Sequence, residues 1–395
     1  MRMCADYFTS LIFSLSLRKM LRAYKYALLP TDGQREHLSK VFGCCRVVYN
    51  LALETRNTAY ASGKVLTSYD LQAQLPELKQ EFEWLTGTPS QALQQSIMAM
   101  DVAFTNFFKK RAGFPRFKSK YARQSFRLPQ GVKVDFDKGT VKLPKIGMIP
   151  CVFSRRFEGK VKTCTVSKTP TGKHFISILV ETGKDVPAKR PISRDTAVGI
   201  DLGIKEFATC SEGTVYANRR HFVKMQRVLR KEQRKLARCK KGSKRREKQR
   251  RHVARLHERI ANQRNDLLHK VSTEIVKNHD TICIEDLHTA GMLRNPKLAK
   301  HIADAGWRTF RTYLEYKCEW YGKNLRVIGR FEPSSKMCSA CGNNQPMPLS
   351  ARTYECGKCG FVADRDVNAA VNIRNFGMIQ DARGRAIASE AEPLG

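Results

Sequence analysis

Two cysteine pairs constrain this chain more tightly than any other feature. Cys338 and Cys341 enclose two residues, fourteen residues follow, and Cys356 and Cys359 repeat the spacing. Gly342 and Gly360 directly follow the second thiol of each pair, as a tight turn requires. Four thiolates so placed can surround one Zn²⁺ tetrahedrally at ~2.3 Å. A closed shell of four sulfurs leaves no open position, so the predicted zinc is structural and the ribbon folds around it. The chain holds thirteen cysteines, an odd number that argues against a disulfide framework. The other nine show no ligand spacing and read as small buried hydrophobes.

Charge narrows the partner. Lys and Arg number 72 against 36 Asp and Glu, a formal +36. Such an excess repels itself unless a polyanion neutralises it. No run approaches the ~18 apolar residues that span a bilayer, so nucleic acid is the expected partner and a membrane is not. The cations concentrate at 219–260, where nineteen Lys or Arg face three Glu. A solvated helix surface normally carries acids at i,i+4 to its bases, and this one lacks them. Val253, Leu256, Ile260, Leu267 and Val271 nevertheless form an apolar stripe. The combination predicts a helical hairpin over 219–277 with a buried seam and phosphate-facing outer faces, including Arg219, Arg220, Arg227, Arg234, Arg245 and Arg251. The basic, aromatic stretch 112–126 adds Lys118 and Lys120 as candidate nucleic-acid contacts.

Periodicity places the other elements. Residues 22–30 alternate as a strand. Helical spacing runs from Gln34 to about Ser62 and from Ser90 to Lys110, with strands at 161–166 and 174–180. Residues 189–194 read as a linker, 299–322 as one amphipathic helix and 325–331 as a strand. Two short apolar strands end in carboxylates: Thr196–Asp201 and Thr281–Glu285. A third acid, Asp366, opens an Ala- and Val-rich helix, with Asp364 two positions earlier as its rival. Neighbouring strands lie ~4.8 Å apart, so two strand-end acids and one helix-borne acid can converge. They repel without metal, and two Mg²⁺ ions ~3.5–4 Å apart would relieve that and hydrolyse a phosphodiester. Mn²⁺ suits the same ligands. Asp201, Glu285 and Asp366 are the expected catalytic and metal-binding residues.

Taken with Phe42-Gly-Cys-Cys-Arg-Val-Val-Tyr-Asn50, Gly113-Phe-Pro-Arg-Phe-Lys-Ser-Lys120, Gly199-Ile-Asp-Leu-Gly203, Ile284-Glu-Asp-Leu287, Phe331 to Gly342 and Asp364-Arg-Asp-Val-Asn-Ala-Ala370, the chain resembles TnpB, the transposon-encoded RNA-guided nuclease also described as an OrfB-type transposase. The resemblance covers residues 22–378 and implies an α+β or α/β multidomain fold. Its parts are an RNase H-like (RuvC) nuclease core, an inserted zinc ribbon with four Cys ligands, and an N-terminal β-barrel wedge interrupted by a helical recognition domain. The expected boundaries are a disordered extension at 1–19, the wedge at 20–35 and 126–192, and the helical domain at 36–125. The core follows at 195–333, the ribbon at 334–362, the last core segment at 363–378 and a tail at 379–395. The family's Asp, Glu and Asp match Asp201, Glu285 and Asp366. The resemblance further implies a guide RNA from the transposon end, double-stranded target DNA beside a short transposon-adjacent motif, and a cytoplasmic, nucleoid-associated prokaryotic setting. Ser90, Gln91 and Gln94 open the helix that reads the motif in relatives, and Gln and Ser can hydrogen-bond base edges, though the same residues equally fit an N-capped helix with polar outer positions. Protein partners are not legible. The rival readings on this scaffold are a nuclease-inactive RNA-guided repressor and a transposase acting directly on transposon ends. An actin-like ATPase is disfavoured by the charge and the ribbon.

Overall fold

The protein is described here from a computed structural model that covers residues 19–348 and 351–390, with side chains as far as 379. The expected extension therefore lies outside the described residues, apart from Lys19. The chain divides after Asp185 into two compact units. Among the described residues no helix is long and apolar enough to cross a membrane.

In the first unit, strand β1 (Lys19–Leu28) is followed by helix α1 (Asp32–Ala61). Thr31 caps α1 in a capping box with Gln34, satisfying amides that have no partner inside the helix. Leu38, Phe42, Cys45, Tyr49 and Leu53 recur along its buried face. Two short helices, Ser68–Ala73 and Leu75–Glu81, lead to α2 (Ser90–Phe108). This helix buries Leu93, Ile97, Met100 and Phe104 in the same core. Six strands follow: β2 (Gln124–Leu128), β3 (Lys133–Asp135), β4 (Thr140–Leu143), β5 (Gly147–Val152), β6 (Lys160–Lys168) and β7 (His174–Asp185). With β1 they make one seven-stranded sheet ordered β2-β6-β7-β1-β5-β4-β3, whose recorded pairs are antiparallel. The helices 32–108 are thus an insertion between the first strand of a sheet and its remainder.

The second unit is built on a five-stranded sheet. Strands β8 (Ala197–Asp201), β9 (Glu206–Cys210) and β10 (Val215–Ala217) form an antiparallel meander. A basic hairpin follows, α3 (His221–Arg238) and α4 (Lys244–Asn278), with Ser243 as N-cap of the second helix. Strand β11 (Thr281–Glu285) returns parallel to β8. Helix α5 (Trp307–Tyr321) then leads to β12 (Asn324–Ile328), parallel to β11. The strand order is β10-β9-β8-β11-β12. β8 and β11 are buried through their first four residues, as central strands covered on both faces are. The ribbon hairpin β13 (Thr353–Glu355) and β14 (Val362–Asp364) leads into α6 (Arg365–Glu390).

Three boundaries differ from the sequence reading. The helix expected over 299–322 is broken, Ala299–Ala305 and then α5, because Gly306 sits at φ +70°, in the left-handed region. The last core strand stops at Ile328 rather than 331, and Phe331 is 93% exposed. Helix α6 runs through the expected boundary at 378 to Glu390.

Candidate active site

Parallel register brings the first two acids together. Ile200 pairs with Ile284, so Asp201 and Glu285 are the next residues on neighbouring strands and point to the same face. Gly199, two positions before Asp201, shares that face. A Cβ there would overlap the carbonyl oxygen of Ala370, so glycine is what lets α6 lie directly on β8. Asp366 is four residues before Ala370, ~6 Å along the helix axis. Asp201 is two residues beyond Gly199, ~6.6 Å along the strand. These nearly equal steps carry Asp366 toward the strand-end acids. Gly377, two turns beyond Ala370, makes a similar close approach, since a Cβ there would strike the Cys283 sulfur on β11.

The electrostatics register the convergence. Burial, then Glu285, then Asp366 push the Asp201 carboxyl up to about 7, while Arg365 and the Leu202 amide pull it the other way. The pressure is what like charges at a poorly hydrated point produce, and what a divalent cation relieves. Asp364 is engaged differently. Its Oδ1 accepts the amides of Asp366 and Val367 at 2.9 and 3.1 Å, the bonds an N-capping side chain makes. Ser334 donates its hydroxyl to Glu285 Oε1. Asp286, next in sequence, holds Arg311 at 2.8 Å and Arg330 at 3.0 Å. Against the effect of its burial, these two guanidinium groups keep its carboxyl below the usual range. Both arginines border a cleft of 400 Å³ that runs past Glu285, Leu202, His288 and Arg308.

The four cysteines expected to bind zinc come together. Among the described residues, Cys338, Cys341, Cys356 and Cys359 are the group whose ligand atoms all lie within 4.8 Å of one another. Cys338 to Cys359 is 3.7 Å and Cys341 to Cys356 is 3.6 Å between sulfurs. A tetrahedron with Zn–S of ~2.3 Å has edges of ~3.8 Å, so the thiols fit the ion. Each knuckle closes through an amide of the following glycine, Gly342 to Cys338 and Gly360 to Cys356, with both glycines at positive φ. Backbone N–H groups of Cys359 and Lys358 aim at Cys356 and draw its thiol down to about 6. Among the described residues the three acids do not make such a ligand group by themselves.

The candidate nucleic-acid residues divide. Arg219, Arg220, Arg227, Arg234, Arg245 and Arg251 are all exposed on the hairpin or at its entry, and Arg227 and Arg234 share one face of α3. Acids on the hairpin neutralise little of this charge. Glu247 pairs with Arg250 and Arg251, and Glu232 pairs with Lys235 on its own helix while accepting from Gln249 across the hairpin. Ser90 and Gln94 are exposed on the first turns of α2, Gln91 is half-buried, and the Ser90 hydroxyl accepts from Lys79. Lys120 is exposed, whereas Lys118 turns its ammonium onto the Tyr49 ring at 3.5 Å while Asn50 clasps its backbone. Sequence reasoning missed Ser334, Asn368, Asn372, and the Asp286–Arg311–Arg330 group. The signal for the asparagines lay in their i,i+4 spacing inside an otherwise apolar helix face.

Comparison with known proteins now bears on these features. A family profile described as "Probable transposase" (OrfB, IS605 type) matches residues 177–296, and a "Cas12f1-like, TNB domain" matches 307–373. A profile described as "Helix-turn-helix domain" matches 20–64, which here is β1 and the single helix α1 with its flanking turns. A protein of Streptomyces pristinaespiralis named "Putative RNA-guided DNA endonuclease" is 41% identical, over 95% of this chain and 94% of its own. "Putative RNA-guided DNA endonuclease InsQ" of Escherichia coli K12 is 38% identical, over 94% of this chain and 96% of its own. In fold the chain is similar to the protein of a Cas12f1–sgRNA–target DNA complex, with TM-score 0.57 at 16% identity, over 87% of this chain and 83% of that one.

Proposed function

The chain belongs to the TnpB family of OrfB-type transposon-encoded proteins, and from that premise we propose that it is an RNA-guided, Mg²⁺-dependent endonuclease that cuts double-stranded DNA beside a short transposon-adjacent motif. The observation that carries the reading is the parallel register that sets Asp201 beside Glu285 at one end of the core sheet, with α6 laid against Gly199 and its Asp366 pressing on the same carboxyl. Three acids drawn from two strands and a helix are a donor set for hard divalent cations, which neither a purely structural role nor a binding role requires.

Asp201, Glu285 and Asp366 would hold the cations. Bound there, Mg²⁺ would activate water as the nucleophile and stabilise the leaving 3′ oxygen, giving 5′-phosphate and 3′-hydroxyl ends. The protein's share is positioning. The parallel register fixes Asp201 beside Glu285, and glycine contacts fix α6 and its Asp366 above them. The exposed arginines of the hairpin supply phosphate contacts that carry affinity without sequence information. Guide pairing would then read the target, as in other RNA-guided effectors. In the first unit, the sheet formed by β1 and β2–β7 corresponds in this proposal to the barrel wedge. The inserted helices 32–108 correspond to the recognition domain, with Ser90, Gln91 and Gln94 toward the adjacent motif. The ribbon's role is to hold its loop on α6, with zinc as a structural ion.

The deciding experiment is Asp201→Ala in the full protein with its co-purifying RNA. Cleavage in Mg²⁺ should fall below detection while RNA and target binding stay within about twofold, because lost charge repulsion does not weaken phosphate contacts. A variant that still cuts would refute the reading.

A further inference from the structure

Ser334 and two asparagines of α6 lie between the acid site and the zinc ribbon and belong to neither ligand set. Ser334 is buried, and its hydroxyl donates to Oε1 of Glu285. That bond fixes one oxygen of a two-oxygen ligand and so orients the other. Ser334 is itself held. Its carbonyl accepts from Asn372 Nδ2 at 2.8 Å, and the same nitrogen donates to the Met337 carbonyl at 2.6 Å. One helical turn earlier, Asn368 Nδ2 donates to the Met337 carbonyl at 2.8 Å. Its Oδ1 accepts the amide of Ser339 at 2.9 Å. Met337 and Ser339 flank Cys338, so Asn368 grips the first zinc knuckle from both sides of its ligand.

Both asparagines are at most 1% exposed. Asn is a mediocre helix former, and a buried amide costs free energy unless it is hydrogen-bonded. Two of them at i,i+4, both aimed at one loop, make sense as a clasp. The helix that bears the clasp also bears Asp366 in its first turn. One element therefore sets Asp366 directly and Glu285 through Asn372 and Ser334.

We infer that Ser334 is a positioning residue for Glu285, and that Asn372 and Asn368 tie that position to the zinc knuckle, so that an intact ribbon sets the geometry of the acid site. This rests on reading Glu285 as a cation ligand. Partners that orient metal ligands in this way typically change metal affinity or activity ten- to a hundred-fold when removed.

The test uses the full chain with its co-purifying RNA. Ser334→Ala should lower the cleavage rate roughly ten- to a hundred-fold and raise the Mg²⁺ concentration needed for half-maximal rate. Zinc content and target binding should not change. Ser334→Thr, which keeps the hydroxyl, should restore most of the rate. Asn372→Ala should slow cleavage in the natural chain and add little further loss to Ser334→Ala, because both act through one path. Ser334→Ala cutting at the natural rate with natural Mg²⁺ dependence would overturn the inference, as would losing its zinc or losses that add in the double variant. If Asp201→Ala is inactive and Ser334→Ala is fully active, the inference fails alone. If Asp201→Ala still cuts, it is the nuclease reading that fails.

Discussion

The second unit carries two candidate metal centres that meet the same helix and differ in almost every physical respect. In the ribbon, four soft thiols stand at the edge lengths of a zinc tetrahedron, closed by knuckle amides over 22 residues of chain from Cys338 to Cys359. In the core, three hard carboxylates come from positions as far apart as 201 and 366, and one of them resists ionisation. The first set is complete without anything but its ion. The second is left open and under electrostatic strain, as a site must be that exchanges water and substrate. Under the proposed function the contrast is one of stability at one centre against chemistry at the other. It predicts that removing a ligand should have opposite effects on the two folds.

The largest effect is expected at the ribbon. Cys356→Ser should drop zinc from one ion per chain to near none and unfold the hairpin Thr353–Asp364. Structural zinc contributes about 10–16 kcal/mol to such small sites, far more than the short hairpin β13–β14 can replace. Elemental analysis and limited proteolysis read the result. A Cys356→Ser protein with full zinc and natural protease resistance would erase the distinction between the centres.

At the acid site a ligand loss should do the reverse. Asp201→Asn keeps the shape and removes one of three mutually repelling charges. At a pH well above the value of about 7 to which Asp201 is pushed, the variant without added Mg²⁺ should melt higher than the natural chain. The gain should be about 2–4 °C for each kcal/mol of repulsion relieved in a unit of this size. Added Mg²⁺ should raise the melting point of the natural chain and leave the variant nearly unmoved, since only bound cations add stability by mass action. A lower melting point for Asp201→Asn without added Mg²⁺ would mean the acids are not in conflict.

The same contrast explains what could be read from the sequence. The ribbon is local, so spacing alone placed its four ligands and its turns. The strands Thr281–Glu285 and Ala197–Asp201 announced themselves as apolar runs ending in acids, and α1 and α2 by their three-to-four spacing. What escaped was non-local or depended on backbone conformation. Nothing in the pattern of 299–322 showed that Gly306 would take a left-handed φ and split the helix. The Ser334–Glu285 bond joins residues 49 positions apart, and only the fold brings them within reach. Lys118 looked like a phosphate contact because it lies in a basic, aromatic stretch. Its ammonium rests on Tyr49, a contact visible only once α1 is packed and one that leaves the phosphate role open.

The smallest expected effect separates two acids that the sequence set two positions apart. Asp364 spends an oxygen on the amides of Asp366 and Val367, and its replacement removes a helix cap. Asp364→Ala should therefore cost about 1 kcal/mol of stability, the ordinary cost of losing such a cap. Asp364→Asn or Asp364→Ser, which can still accept those amides, should recover most of it. Cleavage should persist in all three, slowed only as far as the first turn of α6 loosens around its neighbour. Asp366→Asn should stop cleavage with the cap intact and little change in melting point. A melting series and a single-turnover assay on the four variants measure both quantities. If Asp364→Asn abolishes cleavage while Asp366→Asn retains it, the roles are reversed. The acid that presses on Asp201 would then be a bystander, and the open centre would have to be rebuilt around the cap.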